Sequence, residues 1–347
     1  MISKIKSIVN SPTEQMMPDS ICIGIDNGNG RVKALSSKGL TTKLKSLIHY
    51  LDSEQEITDC GNDSVFVEYI SGPRTELWEQ RFVVGQQAYQ FSPNGVFSPS
   101  DDREGKSKFA LELSLAAISQ NITMDCTNVA VALSVHDAGA LSDLQNQVNG
   151  EHIVKVNSQI RKINIDLKVV KTEGLGAYAS LLLAKKCTKA AQTILLDIGF
   201  GTIIVSVYSN GAGKQVIPFP DMGVKSLYQG ISNNLKVRKQ LKRTGDIQLI
   251  QRAVERGDFI YGVNRSSQFS LAEIYNQELP PWVKKSLVTV LGKIDSYLDG
   301  SEFLFAIGGG SRLPRVSQWL EKKGFEVVVD SEIINARGLL AFAKREV

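Results

Sequence analysis

The sequence predicts an α/β protein built from two similar halves, each a β-hairpin followed by helices and further strands. Two glycine-rich turns of the same design support this prediction, 25–30 (IDNGNG) and 196–201 (LDIGFG). Each turn follows an apolar run that indicates a buried strand, and each precedes a second predicted strand. A further strand with a glycine turn, 303–311 (FLFAIGGGS), belongs to the second half. Because the halves share little sequence beyond the two turns, their duplication is inferred from the order of elements.

The order of elements divides the chain into a leader and two lobes. Residues 1–20 are polar and are expected to form a flexible leader, with a short partner-binding arm as the alternative. Lobe I is expected at 21–171 plus 335–347, with a smaller loop-rich insertion at about 38–105. Lobe II is expected at 172–334, with a helical insertion at about 222–298.

Composition limits the class of protein. The 347 residues are 42% hydrophobic and 22% charged, as in soluble globular proteins, and the net charge of +4 permits an acidic partner without requiring one. The four cysteines form no C-x-x-C pair and no apolar run approaches the roughly 18 residues of a membrane span. We therefore expect a cytoplasmic protein with reduced thiols and no membrane partner. The three histidines show no zinc-ligand spacing, so no structural metal site is expected.

The first turn has the chemistry of a site for phosphates and a metal ion. Asp26 stands at the tip of a predicted strand, and its carboxylate can hold Mg²⁺. Gly28 lets backbone N–H groups approach an anion, and Asn29 and Gly30 tolerate positive φ. Lys33, on the returning strand, can bring its ammonium to a bound phosphate. An ordinary hairpin is the alternative, because Asn-Gly turns without ligands are common.

The second turn repeats this arrangement. Asp197 ends a strand and is followed by Gly199 and Gly201. Thr202 can offer its hydroxyl and N–H to a terminal phosphate, whereas Phe200 is unusual in a tight phosphate turn and can instead pack beneath it. Two acidic glycine turns far apart in one chain indicate halves that close on one nucleotide.

A third turn follows the predicted strand 303–307 and contains Gly308, Gly309, Gly310 and Ser311. Such a turn lets the backbone meet a flat ligand such as adenine or ribose, although a plain strand-to-helix turn is the alternative. It lacks the third glycine of the dinucleotide fingerprint, and the chain contains no P-loop motif.

Between the hairpins, Glu173 follows Thr172, which is a predicted helix N-cap. In the functional hypothesis this carboxylate polarises a water molecule that attacks a phosphate. The alternative is that Glu173 only complements the helix dipole, with a contribution under about 1 kcal/mol.

Two other patterns are weak evidence for function. Residues 134–137 (SVHD) contain the letters of a hydrolase triad, but adjacent residues on a strand cannot converge on one another. Residues 236–243 (KVRKQLKR) are basic, but they lack interleaved aromatic residues and therefore predict a solvated helix face rather than a nucleic-acid site.

Taken together, these motifs resemble those of the actin, Hsp70 and sugar-kinase superfamily of ATPases. Residues 26–33 (DNGNGRVK) resemble the first phosphate loop of actin and 197–201 resemble its second. Residues 308–311 resemble the adenosine loop, and 172–177 (TEGLGA) stand where the first connecting helix is expected. The resemblance implies a duplicated actin-like (ribonuclease H-like) fold with two lobes around a nucleotide cleft.

Within the superfamily, the chain is most similar to the bacterial ParM/StbA group of plasmid-segregation proteins. Residues 129–135 (VAVALSV) resemble the Leu-Pro-Val strand of that group, with Ser134 in place of the usual proline. Residues 335–338 (NARG) resemble the start of the last helix of that group.

The resemblance implies ATP and Mg²⁺ as cofactors. It assigns Asp26 and Asp197 to holding Mg²⁺ through water, and Glu173 to positioning or activating the attacking water. The other cofactor-binding residues are expected in the three turns: Gly28, Asn29, Gly30 and Lys33; Gly199, Phe200, Gly201 and Thr202; Gly308, Gly309, Gly310 and Ser311.

The resemblance also implies an ATPase that assembles head to tail into filaments and drives plasmid DNA segregation. The implied partners are further copies of the chain and a DNA-binding adaptor protein, without direct contact to nucleic acid. Two alternatives stay open. One is a small-molecule kinase on the same fold, and the other is a nucleotide-binding module that neither hydrolyses nor polymerises.

Overall fold

The computed structural model describes residues 20–52, 55, 57, 60–93, 95–99, 105–122, 126–135 and 141–346. The chain divides into two compact units. Unit 1 comprises residues 1–186 and 332–347, and unit 2 comprises residues 187–331. The predicted leader lies outside the described residues except for Ser20, as does the His136-Asp137 pair of the triad-like pattern.

Unit 1 is built on a nine-stranded sheet. Its strands are β1 (Ser20–Asn27), β2 (Arg31–Ser36), β3 (Thr41–Lys45), β4 (Ile48–Tyr50), β5 (Ser64–Ser71), β6 (Arg81–Gly85), β7 (Cys126–Val135), β8 (Gly150–Val156) and β9 (Gln159–Thr172). The spatial order is β3-β2-β1-β7-β9-β8-β5-β6-β4. β1 and β2 form an antiparallel hairpin, and β7 and β9 continue the sheet parallel to β1.

Unit 2 contains a five-stranded sheet and a short two-stranded ribbon. Its strands are β10 (Thr193–Ile198), β11 (Thr202–Ser209), β12 (Ala212–Pro220), β13 (Ile260–Tyr261), β14 (Phe269–Ser270), β15 (Phe303–Ile307) and β16 (Glu326–Val327). The order β12-β11-β10-β15-β16 repeats the order β3-β2-β1-β7-β9 of unit 1, with the same antiparallel and parallel pairings. The predicted fold class, a duplicated α/β design, is confirmed.

Helices cover these sheets and fill the segment between β12 and β15. They are α1 (Gln86–Phe91), α2 (Gly105–Lys108), α3 (Ala110–Ser119), α4 (Leu141–Val148), α5 (Leu175–Leu183), α6 (Val224–Asn233), α7 (Leu235–Leu241), α8 (Ile247–Arg256), α9 (Ala272–Val283), α10 (Thr289–Lys293), α11 (Asp295–Leu298), α12 (Val316–Glu321) and α13 (Ile334–Ala343). In the described ranges, none of these helices has the length and apolar character needed to cross a membrane.

The ends of α8 show how local sequence sets the helix boundaries. The Asp246 carboxylate accepts hydrogen bonds from the N–H groups of Gln248 and Leu249 at 2.8 and 3.1 Å. Gly257 ends the helix with φ +74°, a conformation that glycine adopts without steric cost. The segment thus begins at an N-cap aspartate and ends at a C-terminal glycine, as the general rules for helix termini require.

Strand β1 is buried on both faces. Ile21, Ile23 and Ile25 share one face, where they join the main core of unit 1 with residues of α3. Cys22 lies on the other face, in a smaller apolar cluster with residues of β7 and α13. Because neighbouring positions on a strand point to opposite faces, β1 holds together both layers of unit 1.

Glycines allow α13 to pack closely against both β1 and α5. A Cβ on Gly24 would lie 2.2 Å from a backbone oxygen of α13, and a Cβ on Gly338 would lie 1.8 Å from the backbone oxygen of Gly176. The Asn335 side chain accepts a hydrogen bond from the N–H of Ala177 at 2.9 Å. These contacts place α5 in unit 1, whereas the sequence-based division placed it with residues 172–334.

A buried polar pair links β5 and β8 in unit 1. The Nδ1 atom of His152 lies 2.8 Å from the Tyr69 hydroxyl, and its Nε2 lies 2.9 Å from the carbonyl oxygen of Val148. A carbonyl can only accept, so Nε2 carries the hydrogen and Nδ1 accepts from Tyr69. Burial lowers the pKa of His152, and the charge of Arg74 acts in the same direction. The folded state therefore favours the neutral ring.

We expect the folded state to lose about 1 kcal/mol of stability from His152 as the pH falls from 7.5 to 5.5. The reason is that the unfolded histidine binds a proton below about pH 6.5, whereas the buried ring resists protonation. Urea unfolding at both pH values measures this loss. His152→Gln, which keeps one donor and one acceptor but does not titrate, is the control and should lose less; an equal loss in both proteins would contradict the assignment.

Candidate functional site

In unit 1 the Asp26 carboxylate is held at the end of β1. Asp26 is opposite Lys33 in β2 and Ser134 in β7. The Ser134 hydroxyl donates to Oδ1 at 2.8 Å, and the Lys33 ammonium lies 3.3 Å from Oδ2. Asp26 is only 6% exposed, so these two partners fix its orientation. Ser134 was missed as a site residue, and its place in the segment 129–135 that resembles the Leu-Pro-Val strand was the available indication.

The turn after Asp26 is tight because of Gly28. Its N–H donates to the carbonyl oxygens of Asp26 and Arg31 at 3.0 and 3.1 Å, and a Cβ at this position would lie 2.7 Å from the Arg31 oxygen. Neither Asn29 nor Gly30 has a positive φ. The expected use of positive φ in this turn is therefore wrong: glycine is required here by close approach of the backbone.

Asn27, the last residue of β1, has a buried side chain on the face opposite to that of Asp26. It is 1% exposed, and both its amide nitrogen and its amide oxygen are buried without a hydrogen-bond partner among the described residues. Buried amide groups are almost always hydrogen bonded, so Asn27 is an exception among the described residues. Sequence reasoning did not select Asn27, and its position directly after Asp26 was the available indication.

Glu173 lies at the same edge of the sheet as Asp26. β9 continues to Thr172, which is paired with Val135, and the Glu173 N–H donates to the Val135 carbonyl at 3.2 Å. The N-cap of α5 is Gly174, with φ +83°, so the prediction that Thr172 caps the helix is wrong: the strand pairing extends to this residue. Because β1, β7 and β9 are parallel neighbours, their carboxyl ends bring Asp26 and Glu173 to one edge.

A third carboxylate of unit 1, Glu332, faces the cations of β2 and β3. The Lys43 ammonium lies 2.7 Å from Oε2 of Glu332. Burial alone would raise the pKa of Glu332, but the hydrogen bond and charge of Lys43, with the charges of Arg31 and Lys33, lower it below its ordinary value. Glu332 thus stays charged beside these cations. Sequence reasoning missed Glu332 because it follows unit 2 in the sequence and comes close to Lys43 only where the chain returns to unit 1.

In unit 2 the second and third turns meet at Asp197. Asp197 pairs with Ile307 in β15, and the next residue, Gly308, has φ +80°. A Cβ on Gly308 would lie 2.3 Å from Oδ1 of Asp197. The Gly199 N–H closes the second turn by donating to the Thr202 carbonyl at 3.0 Å. Unit 2 therefore combines the Asp197 carboxylate with the backbone of both predicted turns.

The remaining residues of the third turn differ in exposure. Gly309 is exposed, whereas Gly310 and Ser311 are buried. A Cβ on Gly310 would lie 2.4 Å from a methyl carbon of Ile198, and the Ser311 hydroxyl donates to the Gly308 carbonyl at 2.8 Å. The Ser311 side chain therefore stabilises the third turn through this hydrogen bond.

The start of α6 supports the second turn. The N–H groups of Val224 and Lys225 donate to the carbonyl oxygens of Gly199 and Phe200 at 3.1 and 2.8 Å. A Cβ on Gly223 would lie 2.4 Å from the Phe200 oxygen, so this glycine, which sequence reasoning missed, is required for the contact. The Phe200 ring packs beside Tyr228 of α6, with a centroid distance of 6.4 Å.

Each unit offers the carboxylate of one aspartate at a tight turn as a donor for a magnesium ion. Among the described residues, no group of three or more His, Cys, Asp or Glu side chains is placed to hold a metal. Mg²⁺ bound with a nucleotide usually takes one or two carboxylates and completes its shell with waters and phosphate oxygens. Asp26 in unit 1 and Asp197 in unit 2 each present one carboxylate at a tight backbone turn, and each taken by itself has the chemistry of such a ligand.

The repeated strand order and its two acidic glycine turns define an actin-like fold. Residues 24–176 match the family model for the N-terminal domain of actin-like proteins. Among solved structures, the chain is similar to Ta0583, an archaeal actin homolog, with 18% identity, a TM-score of 0.73, and coverage of 94% of this chain and 99% of that chain. It is also similar to ParM from a Clostridium botulinum filament, with 15% identity, a TM-score of 0.71, and coverage of 94% and 99%.

A structure of Ta0583 in complex with ADP is similar as well, with 16% identity, a TM-score of 0.70, and coverage of 94% and 99%. No curated protein sequence matches the chain. The motifs predicted a resemblance to actin-like proteins, including those named ParM, and this prediction is confirmed. The fold of this chain is actin-like.

Proposed function

We propose that the chain binds and hydrolyses Mg-ATP and that the nucleotide controls its head-to-tail assembly into a filament. The observation that carries this proposal is the repeated site design: in each unit an aspartate is the next-to-last residue of the first hairpin strand and is followed by a turn of close backbone contacts. The similarity to an actin homolog in complex with ADP supports a nucleotide ligand. The similarity to a ParM filament subunit supports self-assembly.

In unit 1 the proposed roles follow from position. Lys33 supplies a positive charge next to Asp26, suited to the inner phosphates. The Gly28 N–H closes the turn, so Asn29 and Gly30 are the residues that offer backbone N–H groups to a phosphate. Glu173, at the same sheet edge as Asp26, orients the attacking water.

In unit 2 Asp197 holds water ligands of the metal, while Gly199, Gly201 and Thr202 lie in the turn suited to the terminal phosphate. The exposed Gly309 backbone is suited to the adenosine. When bound, Mg²⁺ offsets the negative charge of the phosphates. The protein contributes mainly position and fixed charge, as phosphoryl transfer requires.

The cellular role that we propose is plasmid DNA segregation in the cytoplasm, through a DNA-binding adaptor protein. This role rests on the resemblance to the ParM group. A filament follows from a heterologous contact, in which one surface of a copy binds a different surface of the next copy and the series does not close into a ring.

Ultracentrifugal pelleting tests the proposal, with phosphate release measured in the same tubes. We expect a pellet with Mg-ATP, together with phosphate release, and little pellet with Mg-ADP or without nucleotide. Omitting Mg²⁺ is the control, since the proposed site needs the metal. A soluble protein that turns over ATP, particularly one stimulated by a small-molecule acceptor, would contradict the filament and favour a kinase. Binding without turnover would favour a nucleotide-binding module.

A further inference from the structure

The N-cap and first residues of α6, 223–226, hold the second turn in place, and we call them the α6 start. The N–H groups of 223–225 donate in that order to the carbonyl oxygens of Gly201, Gly199 and Phe200, at 3.4, 3.1 and 2.8 Å. Across a planar trans peptide, the C=O of one residue and the N–H of the next point in opposite directions. The N–H groups of Phe200 and Gly201 therefore point away from α6. Successive N–H groups of this kind form a concavity that binds anions.

The α6 start also contacts the third turn. A Cβ on Gly310 would lie 2.7 Å from a methyl carbon of Val224, and Val224 itself is buried. Both glycine turns of unit 2 are therefore packed against the same few residues. A group that fixes the position of the α6 start consequently fixes the backbone that the proposed function assigns to the nucleotide.

A buried tryptophan of α9 binds the α6 start. Trp282 is 5% exposed and belongs to the core of unit 2. Its indole N–H donates to the Gly223 carbonyl oxygen at 3.3 Å and to the Ser226 hydroxyl oxygen at 3.1 Å. The Ser226 hydroxyl in turn donates to the same Gly223 carbonyl at 2.7 Å. A buried indole N–H needs an acceptor, and here both acceptors belong to the α6 start.

The helix is irregular on both sides of Trp282. Pro280 and Pro281 lie inside α9, where neither can donate an N–H to the helical hydrogen bonds. Directly after α9, the residues Lys284–Val288 form a π-helical turn. Such turns are rare within helices and are frequent at functional sites. This irregularity is a second indication, independent of the hydrogen bonds, that the position of Trp282 matters for function.

We propose that Trp282 is a positioning residue for the second turn. Its indole N–H holds the Gly223 carbonyl, the α6 start holds the carbonyl oxygens of the turn, and the N–H groups on the other side of the turn are thereby placed for the terminal phosphate. Because this role presupposes nucleotide binding, it rests on the proposed function. A side chain that only filled the core would contribute apolar area, and its N–H group would have no effect on the nucleotide.

Three substitutions in the full chain test this role. Trp282→Phe keeps an aromatic ring and removes the N–H, and Ser226→Ala removes the second acceptor with little change in volume. Tyr261→Phe is the matched control, because it also removes one polar group from a buried aromatic side chain of unit 2. The Tyr261 hydroxyl accepts from the Asp246 N–H at 2.8 Å, at the start of α8 rather than of α6. Far-UV circular dichroism checks that each variant is folded.

The measurement is the affinity for Mg-ADP and for the magnesium complex of a non-hydrolysable ATP analogue, by competition against a fluorescent ADP below the assembly concentration. For Trp282→Phe we expect the Kd of the analogue to rise about tenfold and that of ADP to stay within about twofold, since only the terminal phosphate meets the second turn. Ser226→Ala should raise the Kd of the analogue about threefold. The double variant should stay within about twofold of Trp282→Phe, because both changes act through Gly223. Tyr261→Phe should keep the wild-type preference for the analogue.

An unchanged preference for the analogue in folded Trp282→Phe would overturn the positioning role. An equal loss of preference in Tyr261→Phe would overturn it as well, since general loosening of the core would then be sufficient. If Trp282→Phe does not fold, Ser226→Ala decides: a lower preference supports the role, and a wild-type preference overturns it. A wild type that binds both nucleotides without phosphate release would contradict the proposed hydrolysis alone, because the competition does not depend on turnover. A wild type that binds neither nucleotide would overturn both the proposed function and the role of Trp282.

Discussion

Replacing Asp197 with alanine is expected to slow phosphate release by about 100-fold or more, because the change removes a preorganised charge from the site. The side chain lies where the second and third turns of unit 2 meet. Asp197→Asn, which keeps the shape and removes the charge, should be almost as slow. Phosphate release under saturating Mg-ATP measures the effect, and an unchanged far-UV circular dichroism spectrum checks the fold. Wild-type turnover by both variants would overturn the site assignment.

Glu173→Ala complements this test in unit 1. We expect slow phosphate release with nucleotide binding retained, since the proposed role of Glu173 is to orient water rather than to hold the nucleotide. Asp166→Ala is the matched control, because Asp166 is an exposed carboxylate on the same strand, β9, and pairs with Lys168. Equal turnover by the two variants would remove Glu173 from the mechanism.

Replacing Gly338 with alanine is expected to destabilise unit 1 by about 3 kcal/mol or more. The new methyl group would lie 1.8 Å from the Gly176 backbone oxygen, and neither helix can move without disturbing the packing of α13 on β1. Gly292→Ala is the control: beyond its own helix backbone and chain neighbours, no atom lies within 4 Å of the position that its methyl group would take, and alanine favours a helix by about 1 kcal/mol. Urea unfolding measures both. Equal stability of the two variants would contradict the close contact of α5 and α13.

The fold was largely predictable because its pattern is local. Alternating or continuous apolar runs indicated the central strands of both sheets, and Asp26 and Asp197 lie in β1 and β10 as predicted. The sequence also contains the three glycine turns. The structure shows that glycine is required at positions 28 and 308, because a Cβ at either position would lie too close to neighbouring atoms. These features depend on a few consecutive residues, so the sequence pattern contains them.

The parts that were missed depend on residues far apart in the chain. Ser134 reaches Asp26 only because β7 pairs with β1, and Glu332 meets Lys43 only because the chain returns to unit 1. The failed N-cap at Thr172 has the same origin, since pairing of β9 with β7 extends the strand over a residue that local preference would place at a helix start. Gly223 is required by a contact with a turn more than twenty residues earlier.

The position of α13 reverses the order in which the two units can be completed during synthesis. Most of unit 1 leaves the ribosome first, but the helix that covers Cys22 and the rest of its smaller apolar cluster is made only after residues 187–331. At about 5–20 residues per second, this delay is on the order of ten seconds. Unit 2 is one uninterrupted segment and can fold during that time, while unit 1 keeps an apolar sheet face open to chaperones.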